Sequence, residues 1–178
     1  MEAHELEYIA ENEPINIIPK FSGPPIALLS GTVGPFKAGI VIAVPLWLAL
    51  TMKHQNRAHI VVPDWMNLDN VIRMKNQEYV EEAFAAMPNP YWMVVAKMLL
   101  KLTPEDIPNA DQVHSLLQDI WDKRQYKFRK STELFIQGNG GFASLPHCTV
   151  PEINLYRDLL ASFVSKANEL NERQKELG

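Results

Sequence analysis

The chain changes character at Pro63, and that change limits its possible folds more than any other feature. Between residues 14 and 63, seven prolines and four glycines cut the sequence into short apolar runs. Beyond it, the stretches 68–80, 91–102 and 109–137 contain neither residue. Proline removes a backbone donor and fixes φ, so a segment this rich in it cannot hold a long helix or a broad sheet interior. The first part therefore reads as a small β-rich module and the second as helices.

Within the first part, residues 2–12 have helical spacing, with Leu6, Ile9 and Ala10 on one side, and Pro14 stops them. Ile15–Ile18, Ile26–Leu29, Ile40–Ile42 and His59–Val62 read as short strands. The segment 30–35 reads as a turn-rich connector. Pro45 suits the first turn of a helix, where its missing N–H costs nothing. Leu46–Met52 would follow as a helix that is apolar on nearly all sides and so buried from several directions.

After residue 64, Leu68–Val80 and Tyr91–Leu102 read as helices. Asn109, with Gln112 three residues on, resembles a capping box opening a helix to about Gln137. Val113, Leu117, Ile120, Phe128 and Phe135 form its apolar face. A second box at Thr149–Glu152 would open a last helix, with Tyr156, Leu159, Leu160, Phe163, Val164, Ala167 and Leu170 as its stripe. The expected fold is α+β and mostly α. Residues 1–63 form a small β-rich domain with an N-terminal helix, and residues 64–178 an α-helical bundle of about four helices.

The longest apolar run, Ile40–Leu50, is broken by Pro45 and is far short of the roughly 20 residues of a membrane span. No membrane association is expected. The single cysteine, Cys148, permits no intrachain disulfide, which fits a reducing compartment. The acidic residues before Pro63 all fall in the first thirteen positions: Glu2, Glu5, Glu7, Glu11 and Glu13.

Catalytic groupings are scarce in the sequence. Five histidines (His4, His54, His59, His114, His147) show no ligand spacing typical of zinc, so no metal or cofactor is expected. His147 and Cys148 are adjacent, and neighbours in a chain point apart, so a loop histidine and a buried thiol are the simpler account. Gly138–Gly141 follows a helix instead of preceding one, which suits a helix end better than a phosphate cradle. Glu81–Glu82 and Glu105–Asp106 read as solvated charge, with Asp106 also suited to a turn beginning after Thr103–Pro104. The chain is not expected to be an enzyme.

One basic cluster stands out: Lys123, Arg124, Lys127, Arg129 and Lys130. Its plain reading is a solvated helix face pairing with Asp119, Asp122 and Glu133. The alternative is a nucleic-acid-binding module, with Lys127, Arg129 and Lys130 on phosphates, but a net charge of −4 weighs against nucleic acid as the main partner. Trp47, Trp65, Trp92 and Trp121 lie in or beside helices. Core is their default role, yet the helices 45–52 and 91–102 carry more apolar surface than so small a bundle covers. Obligate partner surfaces have that character. Trp47, Leu48, Trp65, Trp92, Trp121, Arg124 and Tyr156 are thus candidate interface residues.

The landmarks also form an ordered pattern. Ile17-Ile18-Pro19-Lys20-Phe21, Gly34-Pro35-Phe36, Val44-Pro45-Leu46-Trp47-Leu48-Ala49 and Pro63-Asp64-Trp65-Met66 are followed by Phe84-Ala85-Ala86-Met87-Pro88, Asp119-Ile120-Trp121-Asp122-Lys123-Arg124 and Glu152-Ile153-Asn154. From about residue 5 to about residue 165 the chain resembles the Psf-two family of subunits of the eukaryotic GINS complex. That resemblance implies a β-rich domain placed before a helical one, three sister GINS subunits in a heterotetramer, and a nuclear location. It also implies a structural role in the CMG replicative helicase during initiation and elongation. The MCM ring would hydrolyse ATP, and DNA would be touched only indirectly or weakly.

Overall fold

The computed structural model describes residues 3–29, 31–136, 146–157 and 161. The Gly138–Ser144 loop, the side chain of Phe135 and the stripe from Leu159 to Leu170 lie outside the described residues.

Helix α1 (Ala3–Ala10) buries Leu6 and Ala10. Strand β1 (Pro14–Pro19) alternates exposed and buried positions, so Ile15 and Ile17 point inward from one face. β1 is the centre of a three-stranded antiparallel sheet, flanked by β4 (Ile42–Pro45) and β5 (Ala58–Ile60). Ile15 faces Val44, while Ile17 faces Ile42 on one side and Ile60 on the other.

The segment expected to be only a connector contains a strand. β3 (Gly31–Val33) pairs with β2 (Ile26–Leu28) as a separate antiparallel hairpin. The expected strand Ile40–Ile42 shifts forward: pairing starts at Ile42, and Ile40 and Val41 are exposed. Pro45 likewise ends β4 and precedes the next helix, which begins at Leu46, one position earlier than expected. Gly34 sits at φ +121°, and a Cβ there would lie 2.7 Å from Pro25 Cα, so only glycine fits the bend. The Gly34–Pro35 peptide bond is cis.

Helix α2 (Leu46–His54) buries Leu46, Leu48, Ala49 and Met52. A 3₁₀ turn at Asp64–Met66 leads into α3 (Leu68–Val80), whose first turn is capped by Asn67 Oδ1 accepting from the Asp69 N–H at 3.4 Å. Then come α4 (Trp92–Leu102), a 3₁₀ turn at Pro104–Asp106, α5 (Ala110–Ile136) and α6 (Val150–Leu155). The Thr149–Glu152 capping box forms, with the Thr149 N–H donating to Glu152 Oε2 at 2.8 Å. The expected box at Asn109 does not. Asn109 has a φ of +55°, the left-handed region, whereas an N-cap needs extended backbone. Asparagine tolerates that conformation, and its carbonyl still accepts from the Val113 N–H at 3.0 Å.

The fold is α+β and mostly α. The β-rich part and the helices share one core, in which Ile15, Ile17 and Val44 of the sheet belong to the same cluster as Trp92, Leu99, Leu117 and Ile120. Helix α1 packs on α4, and α3 packs along α5. Polar contacts cross the same junction: Asn89 Nδ2 donates to Glu13 Oε2 at 2.5 Å.

Candidate subunit interface

The candidate residues divide by where the fold puts them. Leu48, Trp92 and Arg124 are interior, whereas Trp47 is partly exposed and Trp65, Trp121 and Tyr156 are half-buried. Trp92 lies beneath Trp121, ring centroids 6.3 Å apart, and Lys97 Nζ sits 5.8 Å from the centroid of the outer ring. Tyr156 stacks on Phe128 at 3.9 Å, and its hydroxyl donates to Gln125 Oε1.

Arg124 corrects the expectation of an interface anchor. Its Nε and Nη2 donate to the two carboxylate oxygens of Glu152 at 2.5 and 2.9 Å. Nη1 donates to Glu78 Oε2 at 2.8 Å and to the Ala85 carbonyl at 3.0 Å, and Nη2 also reaches the His147 carbonyl at 2.9 Å. These bonds match the full donor set of a guanidinium. Burial works against its charge, but the bonds to Glu152 and the charges of Glu152 and Glu78 outweigh that and hold the Arg124 pKa above its ordinary value.

Lys127, one turn on, is also turned inward and has no free ammonium for a phosphate. Its Nζ donates to Glu78 Oε1 at 2.6 Å and to the carbonyls of Glu78 and Ala83 at 2.5 and 2.7 Å. Glu78 in turn accepts from the Ala85 N–H at 3.1 Å. The two cations and two carboxylates join α3, α5, the 83–85 segment and the start of α6. Burying four charges is tolerable only because each is paired and hydrogen-bonded.

Of the remaining cations, Arg129 and Lys130 are exposed. Lys123 lies between two exposed tyrosines, 4.9 Å from the Tyr79 ring centroid and 5.5 Å from that of Tyr126. Of the acidic partners expected on α5, Asp119 instead pairs across to α3, accepting from Lys75 Nζ at 2.6 Å. Asp122 accepts from Gln118 Nε2 at 3.0 Å.

A second ion cluster ties α2 to the turn before α5. Lys53 Nζ lies 2.9 and 2.8 Å from the two oxygens of Asp106 and 3.1 Å from Glu105. Asp106 also accepts from the Ile60 N–H at 3.1 Å. Burial alone would raise the Asp106 pKa, but the bonds to Lys53 and Ile60 hold it below its ordinary value. The carboxylate pair Glu105–Asp106 is thus a structural tie.

The charge of Arg124 favours the Cys148 thiolate but is outweighed. Burial first, and then the charge of Glu152, push its thiol up to about 11, the opposite of what a nucleophilic cysteine needs. His147 has a φ of 60°, and its carbonyl serves Arg124. Among the described residues no group of three or more His, Cys, Asp or Glu could hold a metal ion. No helix among them is long and apolar enough to cross a membrane.

The exposed surface is rich in large apolar side chains. Tyr8 on α1, Leu29 at the tip of the β2–β3 hairpin and Trp47 on α2 line one open groove of about 640 Å³. Tyr79, Val80 and Tyr126 project from the α3–α5 face, and Ile153 and Leu155 from α6. Leu29 and Tyr8 were not foreseen as candidates. Gly31, two residues on, and the placement of Leu29 at the end of its apolar run are the signals that this residue stands clear.

Residues 2–61 match the model of the PSF2 N-terminal domain, and residues 65–171 match that of the GINS complex protein helical bundle domain. A relative from Xenopus laevis, named DNA replication complex GINS protein PSF2, is 40% identical over 154 residues, covering 86% of this chain and 83% of its own. The Homo sapiens protein of the same name is also 40% identical over 154 residues, with the same shares covered. The Schizosaccharomyces pombe protein, DNA replication complex GINS protein psf2, is 32% identical over 166 residues, covering 93% and 88%.

Proposed function

Because the chain belongs to the PSF2 family of GINS complex proteins, we propose that it is a non-catalytic subunit of a GINS heterotetramer acting in DNA replication. Its partners are three sister subunits. Through the assembled complex it supports the CMG replicative helicase, with its MCM ring, in the nucleus. In this reading residues 1–63 are the small β-rich domain and residues 64–178 the helical bundle. Trp47, Trp65, Trp121 and Tyr156 are the candidate contact residues that keep an outward surface.

The observation that carries the proposal is the similarity of both parts of the chain, in order, to proteins named for that complex. Two physical features support it. The exposed Tyr8, Leu29, Val80 and Leu155 leave apolar surface that a partner would cover. The Cys148 thiol, pushed up to about 11, is protonated at neutral pH and is a poor nucleophile.

A tagged chain used as bait in nuclear extract tests this. Mass spectrometry of the captured proteins is expected to return three sister subunits in equal amounts, with helicase components at lower recovery. Capture of none of the sisters would overturn the proposal.

A weaker second reading is contact with DNA, favoured by Lys123 held between Tyr79 and Tyr126 with Arg129 and Lys130 nearby. It calls for salt-dependent binding that Lys130→Glu reduces. Binding that is absent at low salt, or unchanged by that substitution, ends it.

A further inference from the structure

We propose that the groove between α4 and the start of α5 seats an acidic segment of a sister subunit. The inference rests on reading the chain as an assembly subunit, and it names the chemistry of one of that subunit's contacts.

The groove encloses about 390 Å³, with Lys97, Leu100 and Lys101 of α4 on one side and Ala110, Asp111 and His114 of α5 on the other. Lys97 and Lys101 are four residues apart, so both ammonium groups serve the same face of α4. Leu100 and Ala110 are half-buried and packed against the core, which gives the groove an apolar floor. The chargeable side chains that line it are the two lysines, His114 and Asp111. Asp111 lies in the first turn of α5, where the free N–H groups of the helix already favour its negative charge.

The two lysines identify the occupant. Lys53, Lys75, Arg124 and Lys127 each have a carboxylate partner, but among the described residues neither Lys97 nor Lys101 has one. The acids near the groove are engaged elsewhere. Glu105 and Asp106, which follow Pro104 at its edge, are held by Lys53, and Asp122 accepts from Gln118. Helix α1 packs on α4, yet none of its carboxylates lines the groove. Two ammonium groups above an apolar floor match carboxylates flanking an apolar side chain. A volume of this order takes a few side chains, not a whole helix. Asp111 on the rim and a net charge of −4 oppose a phosphate backbone in the same place. Lys97 stands 5.8 Å from the ring centroid of Trp121, a candidate contact residue, so the groove continues the surface given to sister subunits. Covering that surface is favourable only if each lysine gains a carboxylate as it leaves water.

The test is zero-length cross-linking of the purified four-subunit assembly with a water-soluble carbodiimide, which joins an amine only to a carboxylate in contact with it. Mass spectrometry of the digest then locates the new amides. The pairs Lys53–Asp106 and Lys75–Asp119 are internal controls. The expected result is an amide between Lys97 or Lys101 and an Asp or Glu of a sister subunit. If both controls link while Lys97 and Lys101 join only carboxylates of their own chain, or none, the inference is overturned and the proposed function stands. In parallel, Lys97→Glu with Lys101→Glu should weaken binding to the other three subunits about tenfold, most at low salt. Lys97→Arg with Lys101→Arg should keep it, because arginine also pairs with carboxylates. Arg73→Glu, which reverses an exposed cation on α3, should leave it unchanged. Binding that ignores the paired glutamates, or that falls equally with Arg73→Glu, also overturns the inference. If the wild-type chains form no assembly, the proposed function falls and takes the inference with it.

Discussion

Two ion clusters hold distant parts of this chain together, and they do so under opposite conditions. The Arg124–Glu78–Glu152–Lys127 cluster is almost wholly removed from water and uses its donors completely. The Lys53–Asp106 cluster sits at an edge, with Glu105 largely exposed. Removing one partner from the first leaves a buried charge unpaired. Removing one from the second lets water in. The same type of interaction therefore has different consequences, decided by burial and not by the number of bonds.

The largest expected effect follows from that. Glu78→Ala takes the only carboxylate from Lys127 and one of two from Arg124 and is expected to cost about 3–5 kcal/mol in urea unfolding. Arg124→Met combined with Glu152→Leu should cost clearly less than the sum of the two single changes, because each single change leaves a charge without its partner. Additive losses would show that the cluster is not a buried unit. Asp106→Ala should cost about 1 kcal/mol, with solvent screening reducing the ion-pair share. Its pH signature has a definite sign. Asp106 has a depressed folded pKa, so its contribution is present above the unfolded value of about 3.8 and is lost as pH falls through the folded value.

Cys148 gives an effect of opposite sign, felt only in alkali. Its folded pKa is raised from 9.0 to about 11, so its contribution is lost as pH rises from the first value toward the second. Alkylation by iodoacetamide should be slow at pH 8 in the folded protein and much faster once it is unfolded. Equal rates would contradict a half-buried thiol held in its protonated form. Smallest of all, Lys75→Ala should not measurably change stability, since its pair with Asp119 is solvent-screened.

The helices were legible in the sequence because they are local. Leu68–Val80 was bounded by the end of one periodic run, and Tyr91–Leu102 by the breaker before it. The strand β3 was hidden because three residues, Gly31-Thr32-Val33, become a strand only by pairing with Ile26–Leu28. Asn109 carried the side chain of a cap but took a backbone that forbids one. Two members of the basic cluster escaped sequence reading for a related reason. Its cations look alike on a helix, yet Arg124 and Lys127 meet Glu78 from 46 and 49 residues away. Nothing within α3 marks Glu78 as buried. The capping box at Glu152 was readable, but its second role toward Arg124 was not.

Assembly is the property on which every proposed role of this chain depends. Native mass spectrometry of this chain co-expressed with its three sister subunits measures that directly. The result predicted is a single dominant species whose mass equals one copy of each. A monomer of 20.3 kDa that stays dispersed, unfolds sharply and leaves the sisters to assemble without it would contradict the account.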